Sequence, residues 1–396
     1  MDVWLIESAK GIGKLFLNPL FYWIFILALM ASVRRIKKER SQFGSKVFDV
    51  FSELKSTWAV SLTGGLLISL AAVAGGVVFS YPVLLLVSLS MILMTLAGRF
   101  TLLSPAYTFG LAYAVLLLVP ALTENISFLW SDQLQNVNFT GLTLLLSAFL
   151  LIESLLFLRV KSSETFPELI KGNRGKLVGR HRLKKFAVVP FFCLVPAGTI
   201  EPFADWWPFF DIGSNSYGLV LLPFITGFDH AVKGVKPAIG AKKLGSAVLG
   251  LAVITLALAA SSYWVSILSL AAMAVAVVGR EYISYRFRTK DKQRQSYFYS
   301  TTNGVQILSI IPGTPAARLG LQVGEKIEKV NGFAVSNEQE FYEALQQKSA
   351  YCKLEVRDDQ REIRFLQRAM YQGEPHELGI VFAKEQYRRT KKEELG

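Results

Sequence analysis

The chain has 396 residues, of which 52% are hydrophobic, and its 43 Lys and Arg outnumber its 30 Asp and Glu to give a formal net charge of +13. This apolar share is too high for an ordinary soluble protein and indicates a membrane-embedded part. From residue 290 onward the charges nearly balance, with 17 Lys or Arg against 15 Asp or Glu, so +11 of the net charge lies in the apolar part. The composition predicts four segments: a polytopic transmembrane region at 1–280, a basic linker at 281–295, a globular domain at 296–386 and a charged tail at 387–396.

Apolar stretches of roughly 20 residues predict spanning helices in the first segment. The stronger candidates are Leu15–Val33, Trp58–Ser80, the stretch from the Tyr81-Pro82 turn to Ala97, and residues 100–122, 139–158, 244–260 and 263–279. Two weaker candidates, 186–201 and 216–232, are short and carry Pro190, Pro196 and Pro223. The pattern therefore predicts nine spans, or seven if the two weaker segments form one re-entrant pair.

The distribution of Lys and Arg indicates which predicted loops face the cytoplasm. Loops 34–57 and 159–185 are strongly basic, whereas loop 123–138 and the loop that contains Trp206 and Trp207 carry no Lys or Arg. Because cytoplasmic loops are enriched in Lys and Arg, we expect the C-terminal domain in the cytoplasm with either span count. This topology explains the net charge without nucleic acid, and it favours membrane lipids with anionic head groups as partners.

The pattern needed for hydrolytic chemistry is missing. The histidines, His181, His230 and His376, lie in three different segments, and none has the one-turn spacing of zinc ligands or a serine nucleophile suitably placed. The cysteines, Cys193 and Cys352, lie in different parts of the chain, so we expect neither a disulfide nor a metal site. We therefore predict a protein that is not an enzyme and needs no cofactor.

Two features inside the predicted spans indicate helix packing. Glu153 is the one acid within a span, and Arg159 follows roughly a turn and a half later. We interpret Glu153 as a packing or snorkelling residue, with an ion or proton path as the alternative. The pairs Gly64-Gly65 and Gly75-Gly76 permit close approach of helices, within one subunit or between subunits, which leaves a homo-oligomer open.

Residues 304–332 carry the most specific pattern in the chain. β-type residues precede a proline-glycine turn, a short capped helix follows, and a second strand ends in a tight turn. The residues that indicate this order are Val305–Ile311, Pro312-Gly313, the N-cap Thr314, Pro315, the C-terminal cap Gly320, Ile327, Val330 and Asn331-Gly332. This order, with these residues, resembles a bacterial PDZ domain.

The remainder of the globular domain extends the resemblance. Residues 336–348 predict an amphipathic helix, 351–357 and 361–366 predict strands, and Glu377–Phe382 resembles the PDZ carboxylate-binding loop with the strand that follows it. Because this loop comes last, the domain looks circularly permuted. The resemblance implies that an extended peptide adds beside the last strand. The candidate groove residues are Leu378, Gly379, Ile380 and Phe382 on the loop and strand, with Phe341 and Leu345 on the facing helix.

The whole chain resembles the MinJ family of cell-division topological determinants, in its length, its polytopic layout, the opening Asn18–Trp23 and the terminal Glu377–Ile380. The expected fold class is a polytopic α-helical membrane region of about 7–9 spans, followed by a small α+β, circularly permuted PDZ domain. The resemblance implies a scaffold at the division septum and poles that links a DivIVA-like protein to a MinD-like partner. The alternatives are a PDZ-bearing relative or regulator of membrane proteases and a transporter.

Overall fold

The computed structural model describes residues 2–96, 98–123, 133–134, 137–172, 175, 177–210, 213–214, 216–299, 303–347, 351–369 and 378–383. Its helices, in chain order, are α1 (Asp2–Leu15), α2 (Pro19–Phe43), α3 (Ser52–Lys55), α4 (Trp58–Ala74), α5 (Tyr81–Thr95), α6 (Pro105–Thr123), α7 (Phe139–Leu158), α8 (Pro237–Ser261), α9 (Ile267–Gln293), α10 (Pro315–Arg318) and α11 (Glu338–Gln346). Its strands are β1 (Phe166–Lys171), β2 (Leu177–Ile200), β3 (Tyr217–Val232), β4 (Val305–Ile310), β5 (Lys326–Val330), β6 (Phe333–Ala334), β7 (Tyr351–Arg357), β8 (Ile363–Ala369) and β9 (Ile380–Phe382). The predicted tail and most of the predicted loop 123–138 lie outside the described residues.

Apolar helices occupy the seven stronger span positions. Four of them, α2, α7, α8 and α9, are long and apolar enough to cross a membrane, and α4, α5 and α6 provide shorter apolar stretches. The first begins where the Asn18 side chain accepts a hydrogen bond from the Leu20 N–H, with Pro19 in its first turn. It continues to Phe43, so part of the predicted loop 34–57 is helical. The predicted linker 281–295 is likewise helical as far as Gln293.

The two proline-containing segments are strands, so the prediction of helical spans at 186–201 and 216–232 is wrong. Both belong to one long antiparallel hairpin made of β2 and β3, which stay paired along most of their length. Their aromatic and β-branched residues favour strands. Pro190 and Pro223, which lie opposite each other in the hairpin, would break a helix interior but are tolerated where the proline nitrogen faces away from the partner strand.

The hairpin is embedded among the apolar helices, which satisfy parts of its open edges. A backbone N–H or C=O without a partner is strongly unfavourable in an apolar medium. The Ser69 hydroxyl of α4 accepts the Phe192 N–H at 2.8 Å, and the Phe79 N–H donates to the Leu194 C=O at 3.0 Å. Contacts of this kind allow a two-stranded ribbon to lie inside a helical bundle.

The segments that connect these helices and strands form two groups, one at each end of the helical bundle, and the segments within a group contact one another. What we call the basic face consists of residues 34–57, 98–104, 159–185 and 229–237. There Lys38 forms an ion pair with Glu168 at 2.6 Å. On the opposite face the Asn138 side chain donates to the Phe210 C=O at 3.0 Å. The predicted inside loops share one face, and the cytoplasmic location of that face stays a prediction.

The C-terminal domain contains a sheet with strand order β8-β7-β5-β4-β9, and β6 pairs with β5. The short helix α10 lies between β4 and β5, which confirms the predicted order of strand, turn, short helix, strand and tight turn. The amphipathic helix α11 begins at Asn337, whose side chain accepts the Glu340 N–H. The last strand, β9, pairs antiparallel with β4, the first strand of the domain.

Candidate peptide-binding groove

The turn at Leu378 and Gly379 has the geometry of an anion-binding loop. The two residues have φ of 45° and 80°. Their C=O groups accept the N–H groups of Ala316 and Ile311, both at 2.9 Å. Their own N–H groups have no acceptor within the part of the chain that the structure describes. A turn with engaged carbonyls and available N–H groups suits a carboxylate ligand.

Gly379 meets two conditions that exclude a side chain. Its φ of 80° lies in the left-handed region, and an added Cβ would lie 2.4 Å from the Thr314 side chain. Thr314 occupies the N-cap position of α10, but its hydroxyl donates to the Ile311 C=O at 2.6 Å and makes no capping bond. The prediction that Thr314 is the N-cap residue is therefore confirmed in position but not in its hydrogen bond, and its contact with Gly379 was not visible in the sequence.

The groove itself is bounded by the outer edge of β9. This strand pairs with β4 on one side, and no described strand pairs with its other edge. Such an edge presents unpaired backbone groups that an extended peptide can use. Within the described ranges, β9 thus has a free edge directly after the turn at Leu378 and Gly379.

The predicted groove residues are packed together in the domain core. Phe341 and Leu345 of α11 are buried, and the Phe341 ring lies 4.9 Å from the Phe382 ring between centroids. Leu378 and Ile380 belong to the same buried cluster. These side chains fill the core beneath the groove, and direct contact of any of them with a ligand stays a prediction.

Tyr342 lies near the candidate groove strand, and the sequence did not single it out. It is half-buried, and its ring centroid lies 6.5 Å from that of Phe382 on the groove strand. It follows Phe341 on α11, so the helix turn that buries Phe341 leaves Tyr342 at the edge of the core. A signal did exist, because a tyrosine beside a core position often has an apolar ring packed and its hydroxyl exposed.

The C-terminal domain rests on the basic face through an apolar cluster. Leu308 and Val381 of the domain pack in one buried cluster with Phe48 and Phe166 of the membrane region. Leu308 follows the core residue Ile307 on β4, and because successive strand residues point to opposite faces, its side chain points away from the domain core. Phe298, in the connection between α9 and β4, is fully buried in the same cluster. The groove strand is therefore held against the membrane region.

His181 joins the two parts of the molecule. Its Nε2 lies 2.9 Å from the Leu308 C=O, and its Nδ1 lies 2.7 Å from the Thr165 hydroxyl. Because a carbonyl can only accept, Nε2 carries the proton and donates to Leu308. The Thr165 hydroxyl has one proton, which lies within reach of both Nδ1 and the Ser162 C=O, each at 2.7 Å. Burial lowers the pKa of His181 to about 4. A fully buried, neutral histidine with both nitrogens engaged is a structural contact here.

The other candidate catalytic and metal-binding residues do not come together. His230 lies beside Arg280, with 3.3 Å between Nε2 and Nη2, and His376 is outside the described residues. Cys193 and Cys352 are buried and free. Within the described ranges, no group of three or more His, Cys, Asp or Glu could hold a metal ion.

Glu153 has a different partner from the one the sequence suggested. Arg280 of α9, rather than Arg159, donates to Glu153 Oε1 at 2.8 Å from Nη2 and at 3.1 Å from Nε. The Ser104 hydroxyl donates to the other carboxylate oxygen at 2.6 Å. Both charged side chains are at most 1% exposed, so the snorkelling interpretation is wrong, and Glu153 packs α7 against α9 through a buried ion pair.

Comparison with known proteins gives the same division of the chain. The family profile described as a PDZ domain matches residues 306–357. The cell division topological determinant MinJ of Bacillus subtilis (strain 168) is 36% identical over 399 aligned residues, which cover 96% of each chain. The probable cell division topological determinant MinJ of Lacticaseibacillus paracasei is 39% identical over 83 residues, 21% of this chain and 23% of that protein.

No solved structure was found to match the chain. The similarity to the Bacillus subtilis protein extends over nearly the full length of both chains, membrane region and PDZ domain together. The chain therefore belongs to the MinJ family of cell-division topological determinants.

Proposed function

We propose that the protein is a non-enzymatic membrane scaffold that places the division-site inhibitor system at the septum and poles. Its PDZ domain would face the cytoplasm and link a DivIVA-like polar scaffold to a MinD-like partner. Support comes from full-length similarity to a protein named as a topological determinant, together with the PDZ match. That name describes placement of division rather than a reaction.

The observation that carries the proposal is the open edge of β9 beside the turn at Leu378 and Gly379. An extended partner segment would pair along β9, its carboxylate would accept the two available N–H groups, and its side chains would meet Tyr342. The position of this turn at the end of the domain, with β9 returning to β4, supports a circular permutation. Such a permutation changes the chain order and leaves the groove intact.

We also propose seven spans, formed by α2 and α4–α9, with the hairpin entering and returning at the basic face. This arrangement places the basic face and the PDZ domain inside. Lys37→Cys lies on the basic face, whereas Trp264→Cys lies in the turn between α8 and α9 on the opposite face, where Trp264 is 78% exposed. A membrane-impermeant thiol reagent should label Trp264→Cys alone on intact cells, and both after permeabilisation. Labelling of Lys37→Cys on intact cells would invert the orientation.

The groove is best tested at Tyr342, because it is half-buried at the edge of the core, whereas the candidate groove residues Phe341 and Leu345 are buried within it. Gly379→Trp would instead force a side chain into Thr314, which is 2.4 Å from the position of a Cβ. We expect Tyr342→Arg to weaken binding of at least one cytoplasmic division partner at least about tenfold, through lost aromatic contact and steric block. Binding of the full-length protein to each purified candidate partner measures this directly.

Phe365→Arg is the matched control for that experiment. Phe365 is an aromatic residue that is 64% exposed, and it lies on β8 at the opposite edge of the sheet. The same aromatic-to-arginine change there should leave partner binding and septal localisation unchanged. If Tyr342→Arg and Phe365→Arg bind every partner as well as the unmodified protein does, the groove is not the working surface.

A further inference from the structure

A cavity of about 530 Å³ lies at the basic face, away from the PDZ groove. Its walls come from the ends of β1, β2 and β3, from the charged half of α9 and from the segment that leads into α6. This volume falls in the range of roughly 300–1,000 Å³ that is typical of small-molecule sites. The scaffold role proposed above makes no use of this cavity.

The cavity has an excess of positive charge. The cationic side chains in its wall are Lys171, Arg180, Arg182, Lys233, Arg288 and Lys292, and the carboxylates are Asp229, Glu281 and Asp291. Protein partners already engage all three carboxylates. Asp229 pairs with Arg182, Glu281 pairs with Arg288, and Asp291 accepts the backbone N–H groups of Lys233 and Gly234. Arg180 pairs with Glu168, which lies outside the cavity wall.

Three lysines of the cavity wall do not take part in such ion pairs. Among the described residues, Lys171, Lys233 and Lys292 have no carboxylate within ion-pair distance. The Lys233 ammonium donates only a long hydrogen bond to the Lys292 C=O, at 3.5 Å. Like charges around one cavity raise its positive potential, so an anion that enters it gains from all three at once.

The position of the cavity next to the apolar helices indicates which kind of anion would bind there. Along α9 the residues are apolar up to Gly279, and the charged stretch that lines the cavity begins with Glu281. Leu102, in the segment before the apolar helix α6, and Tyr107, in the first turn of α6, also line the cavity. The site therefore offers cations next to apolar surface at the depth where the spanning segments end. A phosphate attached to an apolar stem matches both requirements.

We propose that this cavity binds the head group of an anionic phospholipid, with its phosphate contacted by Lys171, Lys233 and Lys292. Apolar contact with Leu102 and Tyr107 would hold the glycerol backbone at the rim. The proposal rests on the basic face lying at a membrane surface. It does not depend on the PDZ groove, so failure of peptide binding leaves it untouched.

The test uses the full-length protein purified in detergent and titrated with phosphatidylglycerol or phosphatidylcholine, with bound lipid counted by native mass spectrometry. The variant Lys171→Gln/Lys233→Gln/Lys292→Gln removes the three cavity charges. The control Lys37→Gln/Lys55→Gln/Lys161→Gln removes three exposed lysines of the basic face that lie outside the cavity wall, with the same change in net charge. Neither titration depends on membrane orientation.

We expect phosphatidylglycerol to bind more tightly than phosphatidylcholine. Each lysine beside an anionic head group contributes about fivefold in affinity, so the cavity variant should lose on the order of 100-fold, and the control variant should stay within about fivefold. Equal losses in the two variants, or equal binding of the two lipids, would overturn the site. Soluble glycerol phosphate that binds as tightly as the lipid would show a soluble anion as the occupant and overturn the lipid assignment.

Discussion

Removing either partner of the Glu153–Arg280 pair should destabilise the membrane region strongly, whereas removing both should cost much less. The pair is buried, and Arg280 makes two hydrogen bonds to the carboxylate, at 2.8 Å and 3.1 Å. After a single substitution the other charge would remain in apolar surroundings without its counter-ion. After substitution of both residues by apolar ones, no buried charge remains without its counter-ion.

The expected magnitudes follow from this difference. Breaking a buried pair from one side costs about 3–5 kcal/mol, whereas apolar replacement of both partners is often nearly neutral. Ser104 would lose its acceptor in the double variant, which adds about 1–3 kcal/mol. We therefore expect Glu153→Leu and Arg280→Leu each to lower the free energy of unfolding by about 3–5 kcal/mol, and the double variant by about 2 kcal/mol. The interaction energy from the cycle should then be at least about 4 kcal/mol.

Reversible unfolding of the purified protein in mixed micelles, titrated with a denaturing detergent, measures these differences. Glu281→Leu is the matched control, because Glu281 pairs with Arg288 at 2.8 Å while both side chains are more than half exposed. Its loss should cost less than about 1 kcal/mol. A double variant that is as unstable as the two single variants combined would show that the pair is not coupled, and the reasoning would fail.

Two further predictions concern packing and docking. Gly65→Ala should destabilise the contact of α4 with the hairpin, because the new Cβ would lie 2.1 Å from the Pro190 carbonyl oxygen, whereas Gly250→Ala meets nothing within 4 Å. The Gly250 variant should gain about 0.5–1 kcal/mol of helix stability, and equal shifts of the unfolding temperature in both variants would contradict this packing. His181 has its pKa lowered by burial from 6.5 to about 4, so its neutral form stabilises docking above pH 6.5, and this stabilisation is lost as the pH falls from 6.5 towards 4. Hydrogen exchange of the β4 amides, corrected for intrinsic rates, should become faster as the pH falls through that range. The substitution His181→Gln should abolish this pH dependence. If the variant shows the same pH dependence as the unmodified protein, a group other than His181 causes it.

The parts of the fold that the sequence predicted are those specified by local residues. The Pro312-Gly313 turn, the short helix that starts at Pro315 and the Asn331-Gly332 turn each depend on neighbouring residues only, and all three occur as expected. The apolar helices could be predicted from the sequence equally well, since length and apolar composition define them. Family membership followed from the same features and is supported over nearly the whole chain.

The missed parts depend on contacts between distant residues. An apolar run of about 16 residues suits either a short helix or a buried strand, and only the pairing of β2 with β3 decides between them. The partner of Glu153 is 127 residues away, so the nearby Arg159 misled the sequence interpretation. Tyr342 could be placed at the groove only after the burial of Phe341 was known.

The hairpin also determines how the PDZ domain is held. At about 3.3 Å per residue, the 24-residue strand β2 reaches up to about 80 Å, well beyond a hydrocarbon core of about 30 Å. Near one end, Thr199 donates to Glu7 of α1 at 2.9 Å on the face opposite the basic face. Near the other end, His181 contacts Leu308 of the PDZ domain. One strand therefore connects the far face to the PDZ domain, and α9 runs on to Gln293 where a basic linker was expected. A groove held in this way would present a bound partner at one height and one orientation above the bilayer, which a freely tethered domain cannot do.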